Sequence, residues 1–141
     1  MIAEIVTVGT EILLGNIVNT NAAFLAEECA LLGLTVYYQT VVGDNEDRMR
    51  QTIRTALDRS DLVILTGGLG PTKDDLTKEI TSEVFGLPLV EDAAWKAHLE
   101  ERMRQYQHND PRRRFTANNY KQALAPEGAT VVWNDNGTAP A

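Results

Sequence analysis

Apolar positions along this chain alternate between the period of a strand and the period of a helix. Residues 2–8 form a near-continuous apolar run, which predicts a buried strand, ending at Gly9-Thr10-Glu11. Residues 12–18 read as a loop. Asn19-Thr20-Asn21 then offers caps for a helix through Leu32, closed by Gly33 just past its last turn. A strand over 34–42 follows at once. Gly43-Asp44-Asn45 is a turn and a cap, Met49, Ile53 and Leu57 mark the core stripe of a second helix, and residues 62–66 form the third strand. This β-α-β-α-β order predicts an α/β fold with a parallel, mostly buried sheet and right-handed crossovers.

The later half follows a looser pattern. A helix over 76–85 stops at Gly86, residues 87–90 are extended, and Glu91-Asp92 opens a long helix whose stripe of Trp95, Leu99, Met103 and Tyr106 faces a core. Residues 129–133 read as a further strand and 134–140 as a polar loop. No internal repeat or low-complexity linker interrupts the chain. With 141 residues and 43% hydrophobic side chains, it has material for one compact domain over 1–141.

Charge narrows the partners. A net charge of −7 and a pI near 4.8 repel nucleic acid and anionic membranes over most of the surface. The basic run Arg112-Arg113-Arg114 is local and reads as a solvated loop or helix end. Cys29 is the only cysteine; at helical spacing with Leu25 and Leu32 it reads as a small buried hydrophobe in a cytoplasmic protein. The start of the chain lacks the pattern of a secretory leader, and no apolar run is long enough to cross a bilayer. His98 and His108 fall in the long helix and at its end, and read as structural.

The candidate chemistry lies after the third strand, in Thr66-Gly67-Gly68-Leu69-Gly70-Pro71-Thr72-Lys73-Asp74-Asp75. Glycines allow positive φ and close backbone approach to an anion. Pro71 presets a turn, Thr72 supplies a hydroxyl, and Asp74 and Asp75 suit a hard cation bridging carboxylate and phosphate oxygens. Lys73, flanked by acids, reads as a solvated ion pair. The competing reading is a glycine turn in which Asp75 or Thr77 merely caps the next helix. In a parallel sheet, ligands bind beyond the carboxyl ends of the strands, where Gly9-Thr10-Glu11, Gly43-Asp44 and the stretch from Thr66 to Asp75 all fall.

Several ordered motifs carry a family resemblance. They are Gly9-Thr10-Glu11-Ile12-Leu13-Leu14-Gly15 with Thr20-Asn21, Val42-Gly43-Asp44-Asn45, and Thr66-Gly67-Gly68-Leu69-Gly70-Pro71-Thr72 through Asp74-Asp75-Leu76-Thr77. To these add the segment from Asn119 to Ala123, and Asn136-Gly137-Thr138-Ala139-Pro140. Together they resemble, over essentially the whole chain, the amino-terminal domain of the competence/damage-inducible protein A (CinA) family. That domain is similar to molybdopterin-binding domains of the MogA and MoaB type, which implies a three-layer α/β/α sandwich around a mostly parallel sheet.

The resemblance also implies roles. Gly9, Thr10, Glu11, Thr66, Gly67, Gly68, Leu69, Gly70 and Thr72 match the ligand and phosphate loops. Asp44 and Asp75 match the catalytic aspartates and, with Asp74, would hold the metal. Asn21, Lys121, Gln122, Asn136, Gly137 and Thr138 become candidates for nucleotide contacts. The implied activity is hydrolysis of ADP-ribose to AMP and ribose 5-phosphate with a divalent metal (Mg, Co or Mn), in some cases with K⁺. Two other classes stay open: molybdopterin binding or adenylylation, and a non-catalytic nucleotide-binding or assembly module. Leu69, in place of the threonine usual in molybdenum-cofactor proteins, and the Asp74-Asp75 pair favour hydrolysis. Family members associate as dimers or trimers, so a homo-oligomer is expected, with the long helix offering its apolar stripe. The family pattern continues beyond Ala141, so the resemblance reads the domain as truncated at its carboxyl end, without the amidase domain of longer members.

Overall fold

The computed structural model describes residues 1–141. Three parallel strands, β1 (Ile2–Val8), β2 (Thr35–Val42) and β3 (Leu62–Thr66), form a sheet in the order β2-β1-β3. Helices α1 (Thr10–Leu13) and α2 (Thr20–Leu31) link β1 to β2, and α3 (Glu46–Arg59) links β2 to β3. The chain steps outward from β1 to β2 and then back across β1 to β3. The two crossovers run in opposite directions, and the right-handed rule for parallel connections then sets α2 and α3 on opposite faces of the sheet.

The central strand records that arrangement. Ala3, Glu4, Ile5, Val6, Thr7 and Val8 are all buried, as a strand covered on both faces must be. Val6 and Val8 pack with Met49, Ile53 and Ala56 of α3 and Ile80 of α4 (Thr77–Phe85). Thr7, of opposite side-chain parity, instead accepts a 3.0 Å hydrogen bond from Asn19 at the head of α2. Asn19 also caps α2 by accepting from the Ala22 amide, and Asn45 caps α3 by accepting from the Arg48 amide. Such caps contribute about 1 kcal/mol each.

A second unit follows Gly86, which ends α4 at φ 66°. Strand β4 (Leu89–Glu91) pairs antiparallel with β5 (Leu124–Pro126), and between them lie α5 (Ala93–Asn109) and a 3-10 helix, Ala117–Ala123. Trp95, Leu99, Met103 and Ala123 form its core. His98 lies 4.7 Å from the Trp95 ring and 4.8 Å from the Trp133 ring, so both the helix stripe and this histidine have structural roles. No helix is long and apolar enough to cross a membrane.

Four expectations need correction. The stretch expected to be a loop is preceded and entered by α1, because the Asp44 carboxylate, distant in sequence, accepts the Thr10 amide that opens the turn. Leu57 is 36% exposed while Ala56 is buried, since positions 49, 53 and 56 keep the helical phase. Residues 129–133 join no sheet: β5 forms earlier, and only Val132 exchanges two hydrogen bonds with Ala141. Cys29 is buried as expected, but Leu32 is 75% exposed because the helix ends beside it. In α5, Trp95, Leu99 and Met103 are buried within this chain, as the core reading of the stripe expects.

At the far end of β1 from the loops, the buried Glu4 carboxylate accepts hydrogen bonds from Arg59 Nε (2.8 Å) and Nη2 (2.7 Å), Thr40 Oγ1 (2.8 Å) and Ser60 Oγ (3.4 Å). Arg59 lies 3.7 Å above the Tyr38 ring. The Arg59 hydrogen bond holds the Glu4 carboxyl below its ordinary 4.5; burial opposes this, and Thr40, the Arg59 charge and Ser60 assist. A depressed carboxylate contributes stability that is complete above its unfolded value and is lost as pH falls through its folded value. Glu4→Gln is therefore expected to cost on the order of 2 kcal/mol at neutral pH. It should also flatten the fall in stability below the ordinary glutamate range. Urea unfolding of the two proteins between neutral and acid pH checks both expectations.

Candidate functional site

The three strands release their carboxyl ends at one edge of the sheet, with Val8 opposite Val42 and Thr7 opposite Thr66. Helices α2, α3 and α4 begin at that edge, so their positive dipole ends gather there. On the β2 side, Asp44 Oδ2 accepts from the Thr10 amide (3.1 Å) and hydroxyl (2.7 Å), and the Asp44 amide donates back to Thr10 Oγ1 at 3.1 Å. The Gly9 amide donates to the Val42 carbonyl at 2.9 Å. Asp44 Oδ1 has no partner within the chain.

On the β3 side lies the glycine loop. Gly67 and Gly68 have φ of 91° and 62°. A Cβ on Gly67 would stand 2.1 Å from the Val8 carbonyl oxygen, and one on Gly68 would stand 2.3 Å from Thr77 Oγ1. A Cβ on Gly70 would meet Asp75 Oδ2 at 2.6 Å. The positive φ expected of the loop is found at Gly67 and Gly68, and the loop's packing on its own chain also requires the glycines. Thr77 fastens the loop to α4: its hydroxyl donates to the Gly67 carbonyl at 2.8 Å and its amide to the Gly68 carbonyl at 3.2 Å. The amides of Gly68 and Leu69 donate to no acceptor in the chain, which leaves them for an anion.

Asp75 is committed to the same loop. Its carboxylate accepts from the Thr72 amide at 2.9 Å, from the Thr72 hydroxyl, and from the Gly70 amide. Burial pushes the Asp75 carboxyl up, but the Thr72 and Gly70 hydrogen bonds and the Lys121 charge outweigh it and leave the group below its ordinary value. Asp74, one residue earlier, is exposed and makes no hydrogen bond. No three His, Cys, Asp or Glu side chains assemble into a ready-made metal site. Asp44 and Asp75 are each tied to neighbouring backbone and hydroxyl groups, and Asp74 stands free.

Two further candidates reach the loop from the 3-10 helix. Lys121 Nζ donates to the Thr72 carbonyl at 3.2 Å and to the Asp75 carbonyl, and pairs with Glu79 at 3.1 Å. Buried Gln122 donates from Nε2 to the Leu69 carbonyl at 3.3 Å. Asn21 Nδ2 reaches Thr66 Oγ1 at 3.5 Å, and Glu11 folds its carboxylate over Gly9. Asn136, Gly137 and Thr138 lie in a separate turn organised by Asn134, and no hydrogen bond joins them to the glycine loop. Lys78, absent from the sequence reading, supports this assembly from α4; a lysine on a helix face otherwise turned inward was the available signal.

Residues 4–139 match the family model described as "Probable molybdopterin binding domain". The chain is 52% identical over 142 residues to a competence-damage inducible protein of Thermoanaerobacter sp. (strain X514), and 50% identical over 140 residues to one of Clostridium beijerinckii. Each alignment covers 99% of this chain and 33% of the relative, so the chain spans a third of these curated relatives. Among solved structures, it is similar to the protein CinA of unknown function from Thermoplasma acidophilum, with TM-score 0.83 and 37% identity over 99% of this chain and 78% of that one. It is also similar to the molybdopterin biosynthesis enzyme MoaB of Thermus thermophilus, with TM-score 0.56 and 25% identity over 70% of this chain and 61% of that one.

Because the Gly67 position is closed by Val8 and strained for any side chain, Gly67→Ala is expected to cost about 2 kcal/mol or more in unfolding free energy. Gly15→Ala, at positive φ but in open space, should cost about 1 kcal/mol. Thermal denaturation of the two variants side by side separates packing from backbone conformation.

Proposed function

This chain belongs to the family of molybdopterin-binding domains, in its CinA branch, and on that premise we propose that it hydrolyses the diphosphate linkage of a nucleotide sugar. Water is added across the linkage of ADP-ribose to give AMP and ribose 5-phosphate, with a divalent cation as cofactor and K⁺ as an accessory. One observation supports the reading most: the free amides of Gly68 and Leu69 and the carboxylates of Asp44 and Asp74 belong to loops that flank the exit of β1.

The residues present suit a hard cation. Asp44 Oδ1 and both Asp74 oxygens are uncommitted oxygen donors, and one or two carboxylates completed by substrate phosphate and water is the usual arrangement for Mg²⁺ or a similar ion. When bound, such a cation offsets phosphate charge and lowers the pKa of its water. The chain's own groups do the rest. Gly68 and Leu69 amides receive a phosphate group, and the helix N-termini favour its negative charge. Asp75 keeps the loop in shape through Thr72 and Gly70, while Thr10 fixes the Asp44 carboxylate.

A second reading is molybdopterin binding, which the family description and the likeness to MoaB favour. Both ligands carry phosphate, so the loop alone does not separate them.

Purified protein incubated with ADP-ribose and Mg²⁺, Mn²⁺ or Co²⁺, with and without K⁺, is expected to release AMP, and a chelator should stop it. Asp44→Asn and Asp74→Asn should each lower kcat/KM by about a hundredfold. Absence of AMP with every cation, while ADP-ribose still binds, overturns the hydrolase reading. Displacement of bound ADP-ribose by molybdopterin in that case would point to the second.

A further inference from the structure

We propose that Lys78 is a positioning residue: it anchors the 3-10 helix across the glycine loop and so holds the loop in the shape that receives the diphosphate. The proposal rests on the phosphate-binding role given to that loop above. Lys78 lies in the first turn of α4, just after Thr77, whose hydroxyl and amide hold the carbonyls of Gly67 and Gly68. Its Nζ donates to the Lys121 carbonyl at 3.0 Å and to the Leu124 carbonyl at 2.8 Å, the last turn of the 3-10 helix and the first residue of β5. Between those two anchors, Lys121 reaches back to the Thr72 and Asp75 carbonyls, and Gln122 to the Leu69 carbonyl. One ammonium thus closes a circuit that runs from α4 to the 3-10 helix, over the loop, and back to α4 through Thr77.

Its energetics fit a clamp. Burial holds the Lys78 ammonium below its ordinary 10.5; the Glu79 charge opposes this and the Lys121 charge adds to it. Charge-assisted hydrogen bonds to two carbonyls offset that desolvation. No other side chain bonds either carbonyl; the Lys121 carbonyl also accepts from the Leu124 amide, so the ammonium joins α4 to the turn that closes the 3-10 helix. Without the ammonium, the 3-10 helix would keep its apolar anchor at Ala123 and the Lys121 and Gln122 bonds, but lose the main-chain fastening to α4 that holds those two side chains in register with the loop.

The test compares Lys78→Met and Lys78→Arg with the parent by amide hydrogen exchange and by calorimetric binding of ADP-ribose. In Lys78→Met the hydrogen-bonded amides of Thr72, Asp75 and Thr77 are expected to exchange about tenfold faster, with Ile5 and Val6 in β1 unchanged. Binding should weaken by about tenfold, and Lys78→Arg, which keeps a charged donor, should recover most of both effects. If Lys78→Met does not fold, Lys78→Gln carries the same comparison. Loop exchange equal to the parent overturns the proposal, as does a parallel rise in β1 and loop, which would mean a general structural role. Failure of the parent to release AMP would end the hydrolase reading but leave the exchange result standing; unchanged exchange with active enzyme would do the reverse.

Discussion

The close approach of the loop after β3 to the end of β1 governs this structure. Parallel strands lie side by side, so the chain leaving β3 must cross the exit of β1 to enter α4. At Gly67 it passes so near the Val8 carbonyl that only hydrogen fits in place of a side chain. Gly68 meets the same limit against the Thr77 hydroxyl. Two consecutive residues at positive φ then direct the peptide units away from the ladder, and the amides of Gly68 and Leu69 are left without partners. The free amides are a consequence of the crossing: packing demands the glycines, and the unpaired donors follow from their conformation.

Charge is arranged in the same spirit. A chain with net charge −7 is a poor general host for a diphosphate, yet the positive ends of α2, α3 and α4 meet at the edge where β1, β2 and β3 finish. Lys78 and Lys121 lie behind the loop, bonded to main-chain carbonyls. They fix backbone geometry at short range and add positive potential at longer range, screened less than surface charge because both are partly buried. The acidic groups nearest the edge are therefore those with specific partners or, at Asp74, with none.

How far the sequence could be read depends on whether the deciding interaction is local. Strands at 2–8 and 62–66, the caps at Asn19, Asn45 and Asp92, and the Gly86 stop rest on neighbouring residues or on simple periodicity, and all were legible. The helical turn at Thr10 was not, because its amide is capped by a carboxylate from another loop. Residues 129–133 have strand composition but find no strand to pair with, a matter of tertiary placement. At the site, the glycine motif and the aspartates stood out by residue type, whereas the clamp through Lys78 depends on two carbonyls contributed by a different element. Side chain to main-chain bonds between distant segments leave little trace in composition.

The paired aspartates illustrate how adjacency in sequence divides into separate tasks. Asp75 is half-buried and gives its carboxylate to Thr72 and Gly70, so its negative charge is spent on keeping the loop closed. Asp74 points its charge into solvent with no such obligation. The Thr72 amide and hydroxyl hold Asp75 through Oδ2, each bond worth about 1 kcal/mol or more to a charged acceptor, whereas no hydrogen bond fixes Asp74. Those magnitudes make Asp75 the residue that gives the glycine loop its form, while Asp74 keeps the freedom of an exposed side chain. Two adjacent acids thus differ in kind: one is bonded into the loop and the other is left to solvent.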